Sequence, residues 1–570
     1  MKKILLPLVI VLLFVQMPMA GHCQWKLYHN AKIFTANKAK PFASAIAIAG
    51  NKIIAVGTEA EVRRQLRGSG TSIDCKGGFM MPGLLDAHMH ALSGGNNLLF
   101  ANVEDQDLTI DQLVTYAEKC YLNKEGMSGD VLVIYGINIT TWSQLDAVAS
   151  KFNSGAFKEI PLVLSGSDGH TSWANRAMMD RAGLNKTFLS RQPADKQIYY
   201  GKDAAGNPTG FVSEEGQNII EAAIPVKPGL KAAGRKAMEY SARLGITGWL
   251  DPSAGKTSSE SSHHLEAYRW LSNNGLLNVH IATTLVADPN QPAQPQLNRL
   301  ALIQKKYSAR NLSVIGVKIF ADGVLEHPTQ TAAISLPYTG TTSKGVLLFE
   351  PPAFARFATL ADKANWLVHV HAIGDRAVTE SLNGFAAMRK ANGHSGIPHT
   401  ITHLQLVQPA DVIRMGSLKI MAAVQLLWAF GDATTIDIVQ PYIHPSLYQW
   451  QYPARSMKNA GVMIAGASDW PVSSANPFQA MYRAVTRKGP KGVLDSSQTL
   501  SLEDMLYAYT LHAAKAMRAD TMIGSLEAGK YADMIRVDKN LLEIPIEEVE
   551  KAIVLETIFE GKVIYRKAGN

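Results

Sequence analysis

Strand-like and helix-like runs alternate along most of this chain, and that alternation restricts its fold more than any other feature. Short apolar runs stand at 131–135, 162–165, 279–285, 314–320, 367–371, 399–403, 419–424 and 462–465. Between several of them lie stretches with apolar residues near i, i+3 and i+4, such as 351–363 and 375–391. Buried strands separated by helices make a parallel sheet, open or closed. With 570 residues the chain exceeds one ordinary domain and suits a large barrel with a satellite. Hydrophobic residues make up 46% and charged residues 18%, enough to bury a sizeable core, which excludes a disordered chain.

The two ends read differently from the middle. Lys2 and Lys3 precede an almost wholly apolar run at 4–15, and Ala20, Gly21, His22 and Cys23 follow it. This is the pattern of a secretory leader, too short for a stable membrane span. Residues 1–23 are therefore expected to direct export, periplasmic or secreted, with cleavage after Ala20 or after Cys23 left open. Residues 24–82 are strand-rich, with a tight-turn signal at Gly50–Asn51. Residues 511–570 hold strand-like runs at 534–537, 553–559 and 562–565. Neither end carries enough apolar residues to stand alone, so a composite β-sandwich built from both termini is expected. The barrel then occupies 83–510, with an insertion at about 94–228 after its first strand. Whether Cys75 and Cys120 pair is open. The formal net charge is +8, but Lys and Arg are scattered, which gives no reading of nucleic-acid binding.

Five short motifs carry the chemistry. His88 and His90 follow Pro82–Gly83, and period-two alternation puts both imidazoles on one face of a strand. Such a pair either ligates a divalent metal or is solvated. Lys318 lies inside the apolar run Gly316-Val317-Lys318-Ile319-Phe320. It is either a lysine reaching out from a strand end or a buried amine whose pKa falls enough to form a carbamate with CO₂. His369 and His371 share a face, His399 and His403 bracket another strand, and Asp469 stands just past a fifth. In a closed (β/α)8 barrel all these strand ends converge on one mouth.

The order Pro-Gly-Leu-Leu-Asp-Ala-His-Met-His, Val-Lys-Ile-Phe-Ala-Asp-Gly, His-Ala-Ile-Gly-Asp-Arg-Ala, a later His, and Gly-Ala-Ser-Asp-Trp-Pro-Val resembles the amidohydrolase superfamily. More narrowly it resembles amidohydrolase family 3, the group that contains N-substituted formamide deformylases. Asp168-Gly169-His170-Thr171-Ser172-Trp173, Gly206-Asn207-Pro208-Thr209-Gly210 and the tail from Gly524 to Asp533 extend the likeness over the mature chain. The resemblance implies an α/β fold, a (β/α)8 TIM barrel with the composite sandwich. It implies a divalent metal, one or two ions and zinc by preference, on His88, His90, Lys318, His371, His403 and Asp469. It gives His371 precedence over His369 and His403 over His399. Asp469 would double as catalytic acid–base.

By the same resemblance His170 and Glu214, from the insertion, face the substrate, although each reads equally as a loop residue in a local hydrogen bond. Asp322 is placed with them, as a substrate-binding or ligand-orienting group. The implied activity is metal-dependent hydrolysis of a C–N bond, amide or N-formyl, in a small molecule. A deaminase or cyclic amidase on the same barrel is the alternative, and a non-catalytic metal-binding scaffold the rival from another class. The expected partner is a small-molecule substrate, with no nucleic acid and no membrane span once the leader is gone. A homodimer stays open.

Overall fold

The structure is a computed structural model and describes residues 24–104, 106–225 and 229–569. The leader read at 1–23 lies outside the described residues.

Eight parallel strands pair in chain order: β1 (Leu84–Asp86), β2 (Ile246–Asp251), β3 (His280–Val286), β4 (Leu312–Phe320), β5 (Leu367–Ala372), β6 (Thr400–His403), β7 (Met421–Val424) and β8 (Ile464–Gly466). The Ala87 N–H, just past β1, donates to Gly466 O at 2.9 Å, so the last strand meets the first and the sheet closes into a barrel. Every residue of β2 and of β5 is buried, because helices cover the outside while side chains such as Leu85, Leu250, Ile315 and Met421 form a separate cluster drawn from strands around the ring. Helix Pro351–Lys363 packs against helix Asp375–Asn392 on the outside.

Two of the apolar runs are strands of something else. Val131–Ile137 and Leu162–Gly166 are neighbours in a mixed sheet of the insertion, which also holds Thr171–Ala174 and Pro208–Ser213. This sheet buries a core on each face, one around Trp142, Phe152 and Trp173, the other around Val133, Met178 and Val212. The barrel's second strand, β2, is absent from the sequence-based set because Gly245 and Gly248 break its apolar run. Gly248 is required by close approach: a Cβ there would come within 2.8 Å of Leu85 and 3.1 Å of His280 O.

Strand Met534–Val537 pairs antiparallel with Phe79–Pro82, so the two chain ends share one six-stranded sheet. It packs on a four-stranded sheet across Tyr28, Ile46, Met80, Met534 and Ile558. Asp533 of the tail motif ties this domain to the barrel: its Oδ2 lies 2.8 Å from His280 Nε2, and its carbonyl accepts from Gly83 N–H. Cys75 is buried in the sandwich core and Cys120 in the insertion core, and both are free thiols. Among the described residues no helix is long and apolar enough to cross a membrane.

Candidate metal centre

The C-terminal ends of β1, β4, β5, β6 and β8 carry the polar residues of the barrel mouth. Asp469 is placed by backbone bonds across the closure: its N–H donates to His88 O at 2.8 Å, and His90 N–H donates to Trp470 O at 2.7 Å. Asp469 Oδ1 then lies 3.3 Å from His88 Nε2 and 3.2 Å from His90 Nε2, and Oδ2 lies 3.7 Å from His403 Nδ1. One ligand atom each from His88, His403 and Asp469 fall within 4.8 Å of one another. Asp469 and His403 both hold positive φ, 58° and 75°, as does Leu404 at 53°. Non-glycine residues avoid that region unless the surroundings impose it, and such positions concentrate at functional sites.

The bonding fixes the free nitrogen of His371 and leaves the tautomer of His88 open. A carbonyl only accepts, so His371 Nε2, 3.0 Å from Gly323 O, carries a proton and Nδ1 keeps its lone pair. His88 Nδ1 lies 2.7 Å from His369 Nε2, while His88 Nε2 and Asp469 Oδ1, both buried, take no hydrogen bond among the described residues. Burial, reinforced by the Lys318 ammonium and neighbouring rings, pushes His88 well below its ordinary pKa; burial with His371 as the next cause does the same to His403. Burial, then Lys318 and His170, push His371 down to about 3. Burial alone would raise Asp469, but His90, His403 and Lys318 hold it below the usual carboxylate value. Imidazoles held neutral by burial at His88, His371 and His403 thus converge on an anionic carboxylate. Polar atoms buried in that state are costly unless something positive joins them. A nitrogen-rich set with one carboxylate fits a divalent cation.

Lys318, only 1% exposed, sits on β4 opposite His369 of β5. Burial, only partly offset by Asp469, brings its amine down to about 7. It does not reach out to solvent. His369, set aside in the sequence, is the fully buried partner of His88. His399 is elsewhere: its Nδ1 accepts from Val368 N–H at 3.1 Å and its Nε2 donates to Asp362 at 2.8 Å.

A cavity of about 1190 Å³ opens between barrel and insertion, with His88, Lys318, His371 and Asp469 at its floor. His170 and Glu214 enter it from the insertion. They sit one residue beyond the cross-strand pair Thr171–Ser213, so their side chains meet: His170 Nδ1 lies 2.8 Å from Glu214 Oε2. Thr331 donates to Glu214 Oε1 at 3.0 Å and links the pair to the barrel. Burial opposes charge on both, yet Glu214 and Asp168 raise His170 to about 9, while His170 and Thr331 lower Glu214. They form an ion pair at the cavity wall, its ring 6.1 Å from that of His371.

Of the two roles expected of Asp322, the structure departs from substrate binding and agrees with orienting the ligand loops. Its carboxylate accepts from the N–H groups of Ala333, Ile373 and Gly374 at 2.8–3.0 Å and lies off the cavity. Its committed oxygens hold the loops after β4 and β5, with His371 Nε2 3.6 Å away, and leave nothing for a substrate. Trp428, half-buried, stacks over His403 at 5.8 Å and 4°. Gln405 is also at the mouth. It stands just past β6, after the positive-φ pair His403–Leu404.

The amidohydrolase family matches this chain over residues 71–565. The Arabidopsis thaliana protein LONG AFTER FAR-RED 3 is 28% identical over 96% of this chain and 93% of its own length. The N-substituted formamide deformylase of Arthrobacter pascens is 24% identical over 95% and 98%. Among solved structures, an uncharacterized metal-dependent hydrolase from Pyrococcus horikoshii OT3 superposes with a TM-score of 0.69 at 22% identity, over 92% of this chain and 99% of that one. The chain, with its closed barrel, its composite sandwich and the mouth just described, belongs to the amidohydrolase family.

Proposed function

We propose that this protein is an exported hydrolase that adds water across a C–N bond, amide or N-formyl, of a small molecule, releasing a carboxylic acid and an amine. The observation that carries this reading is the convergence of His88 Nε2, His90 Nε2 and Asp469 Oδ1 within 3.2–3.3 Å at the barrel mouth, with neither His88 Nε2 nor Asp469 Oδ1 in a well-formed hydrogen bond among the described residues. His88, His90, His371, His403 and Asp469 would hold a divalent cation, zinc by preference. Such a cation, when bound, supplies Lewis acidity that acidifies water and polarises a carbonyl.

Lys318 is the sixth member. Its neutral amine, favoured by burial, adds to carbon dioxide with loss of one proton, and the carbamate gives the site an anionic oxygen. Asp469, held anionic, takes the proton of the attacking water and delivers it to the leaving nitrogen, so that one group serves as base and then as acid. His170, held protonated beside Glu214, stands where it can donate to a developing oxyanion. Supporting the choice of bond is the likeness over nearly the whole chain to a protein named as an N-substituted formamide deformylase. Supporting export is the leader pattern of residues 1–23 alone.

The test is elemental analysis of the mature protein purified with bicarbonate and without chelator, coupled to amine release from a panel of N-formyl and N-acyl amines. One or two zinc-type ions per chain with amine release that chelation abolishes is the expected result. No metal after reconstitution sinks the site, and ammonia release from ring amidines in place of amide cleavage moves the reading to a deaminase.

A further inference from the structure

The barrel mouth opens in two directions. Besides the large cavity, a second lobe of about 580 Å³ shares His170, His371, His403 and Asp469 with it and runs off beneath Trp428, Phe430 and Tyr452. Five carboxylates line this lobe beside Asp469, namely Glu104, Asp168, Glu326, Asp432 and Glu550, against His170 and Arg483. Arg483 is already spent, its guanidinium 4.4 Å over the Phe430 ring. That contact shows the aromatic wall taking a planar cation on its face.

A second observation is independent of the charge count. Gln405 is only 4% exposed, and both its amide hydrogens have takers: Nε2 donates to Glu326 Oε1 at 3.2 Å and to Tyr452 Oη at 2.8 Å. Its Oε1 accepts nothing among the described residues. With Nε2 on both Glu326 Oε1 and Tyr452 Oη, the amide oxygen faces away from both; burial raises the Glu326 carboxyl above its ordinary pKa, so a cation beside it would restore its charge. A buried amide oxygen left bare beside a carboxylate calls for a donor that none of the described residues provides.

We propose that this second lobe is a specificity subsite for a planar, positively charged nitrogen group, an amidinium, guanidinium or protonated aromatic amine, on one arm of the substrate amide. Glu326 supplies the opposite charge, Gln405 Oε1 accepts an N–H, and Trp428 and Tyr452 pack the flat faces. The proposal rests on the hydrolase reading for the amide but not for the binding.

Binding is measured by titration calorimetry of benzamidinium and of neutral acetophenone against the full-length, metal-loaded protein. Benzamidinium is expected to bind at least about tenfold more tightly. Glu326→Gln should remove about tenfold of that affinity while leaving acetophenone within about twofold. Equal binding of the two probes by the wild type, which needs no variant to fold, overturns the proposal, as does undiminished benzamidinium binding by a folded Glu326→Gln protein. Charge-selective binding without hydrolysis of any amide would retain the subsite and remove the hydrolase reading. Hydrolysis indifferent to charge on the substrate arm would do the reverse.

Discussion

Two histidine–carboxylate clusters lie on the same barrel, at opposite ends of β6, and they use the same residue types to different ends. At the strand's start, His399 has both nitrogens engaged, one accepting from Val368 N–H and one donating to Asp362. Asp362 also accepts from Asn392 at 2.9 Å and from Ser395. At the strand's finish, His403 faces Asp469, whose Oδ1 touches His88 and His90 only at 3.2–3.3 Å and, like His88 Nε2, takes no well-formed hydrogen bond among the described residues. Burial is equally complete in both places. The difference lies in bonding capacity left over. A cluster that satisfies itself holds the fold, and one that cannot is set to hold something else.

The sharpest way to break this comparison is Asp469→Asn. It keeps the shape and removes the charge and the proton acceptor, so amide turnover should fall by at least about a thousandfold, while the metal-free protein, losing a carboxylate that its neighbours hold below the ordinary pKa, should still fold with a modestly lower midpoint. Near-normal turnover would show that the leftover capacity at Asp469 has no chemical use. Next in size is an exchange of positions along β6. His399→Ala should keep the full complement of metal and lose about 2–3 kcal/mol of stability, because Asp362 is left buried with a missing donor. His403→Ala should lose metal in elemental analysis, and its metal-free form should unfold closer to the wild-type midpoint than His399→Ala does. If His399→Ala lost the metal and His403→Ala kept it, the two clusters would have been assigned the wrong way round.

Much of this was legible in the sequence, for a physical reason. Lys318 and His371 interrupt or end an apolar strand, His403 ends one, and His88 and His90, expected on a strand, stand instead in the loop just past β1, with His90 capping the next helix; a parallel barrel brings all such ends to one mouth whatever the helices between them do. The composite sandwich was legible because neither end could bury its own apolar residues. Other features were not. The pairing of His88 with His369 depends on rings facing each other between β1 and β5, 281 positions apart, and alternation along one strand says nothing of that. Asp322 reads as a polar residue at a strand end, and only the fold shows three backbone N–H groups claiming it. His170 and Glu214 are 44 residues apart and meet through the register of the insertion sheet. Strand β2 is hidden by Gly248, whose missing side chain is what lets β3 approach.

The smallest effect separates the clusters by pH. At His399 the backbone N–H of Val368 occupies Nδ1, so a second proton would have to displace it. Burial, with Arg389 and Arg518 adding to it, outweighs the hydrogen bond and attraction of Asp362, and the ring is held below its ordinary value. Asp362 is buried too, but its bonds from His399, Ser395 and Asn392 hold it well below the carboxylate range. Both folded-state pKa values are depressed, so both groups bind protons more readily in the unfolded chain and both contributions are lost on acidification. The His399 share is present above its unfolded value of about 6.5 and fades as pH falls below it; the Asp362 share holds until about 4 and then fades. The stability difference between wild type and His399→Ala, read from urea midpoints of the metal-free proteins, should therefore be level from about pH 9 to 7 and shrink as pH drops below about 6.5. A difference that grew on acidification would mean that the His399 imidazolium, paired with Asp362, is the stable form. The self-satisfied cluster would then hold unspent capacity of its own, and the contrast with the barrel mouth would fail where it is most easily measured.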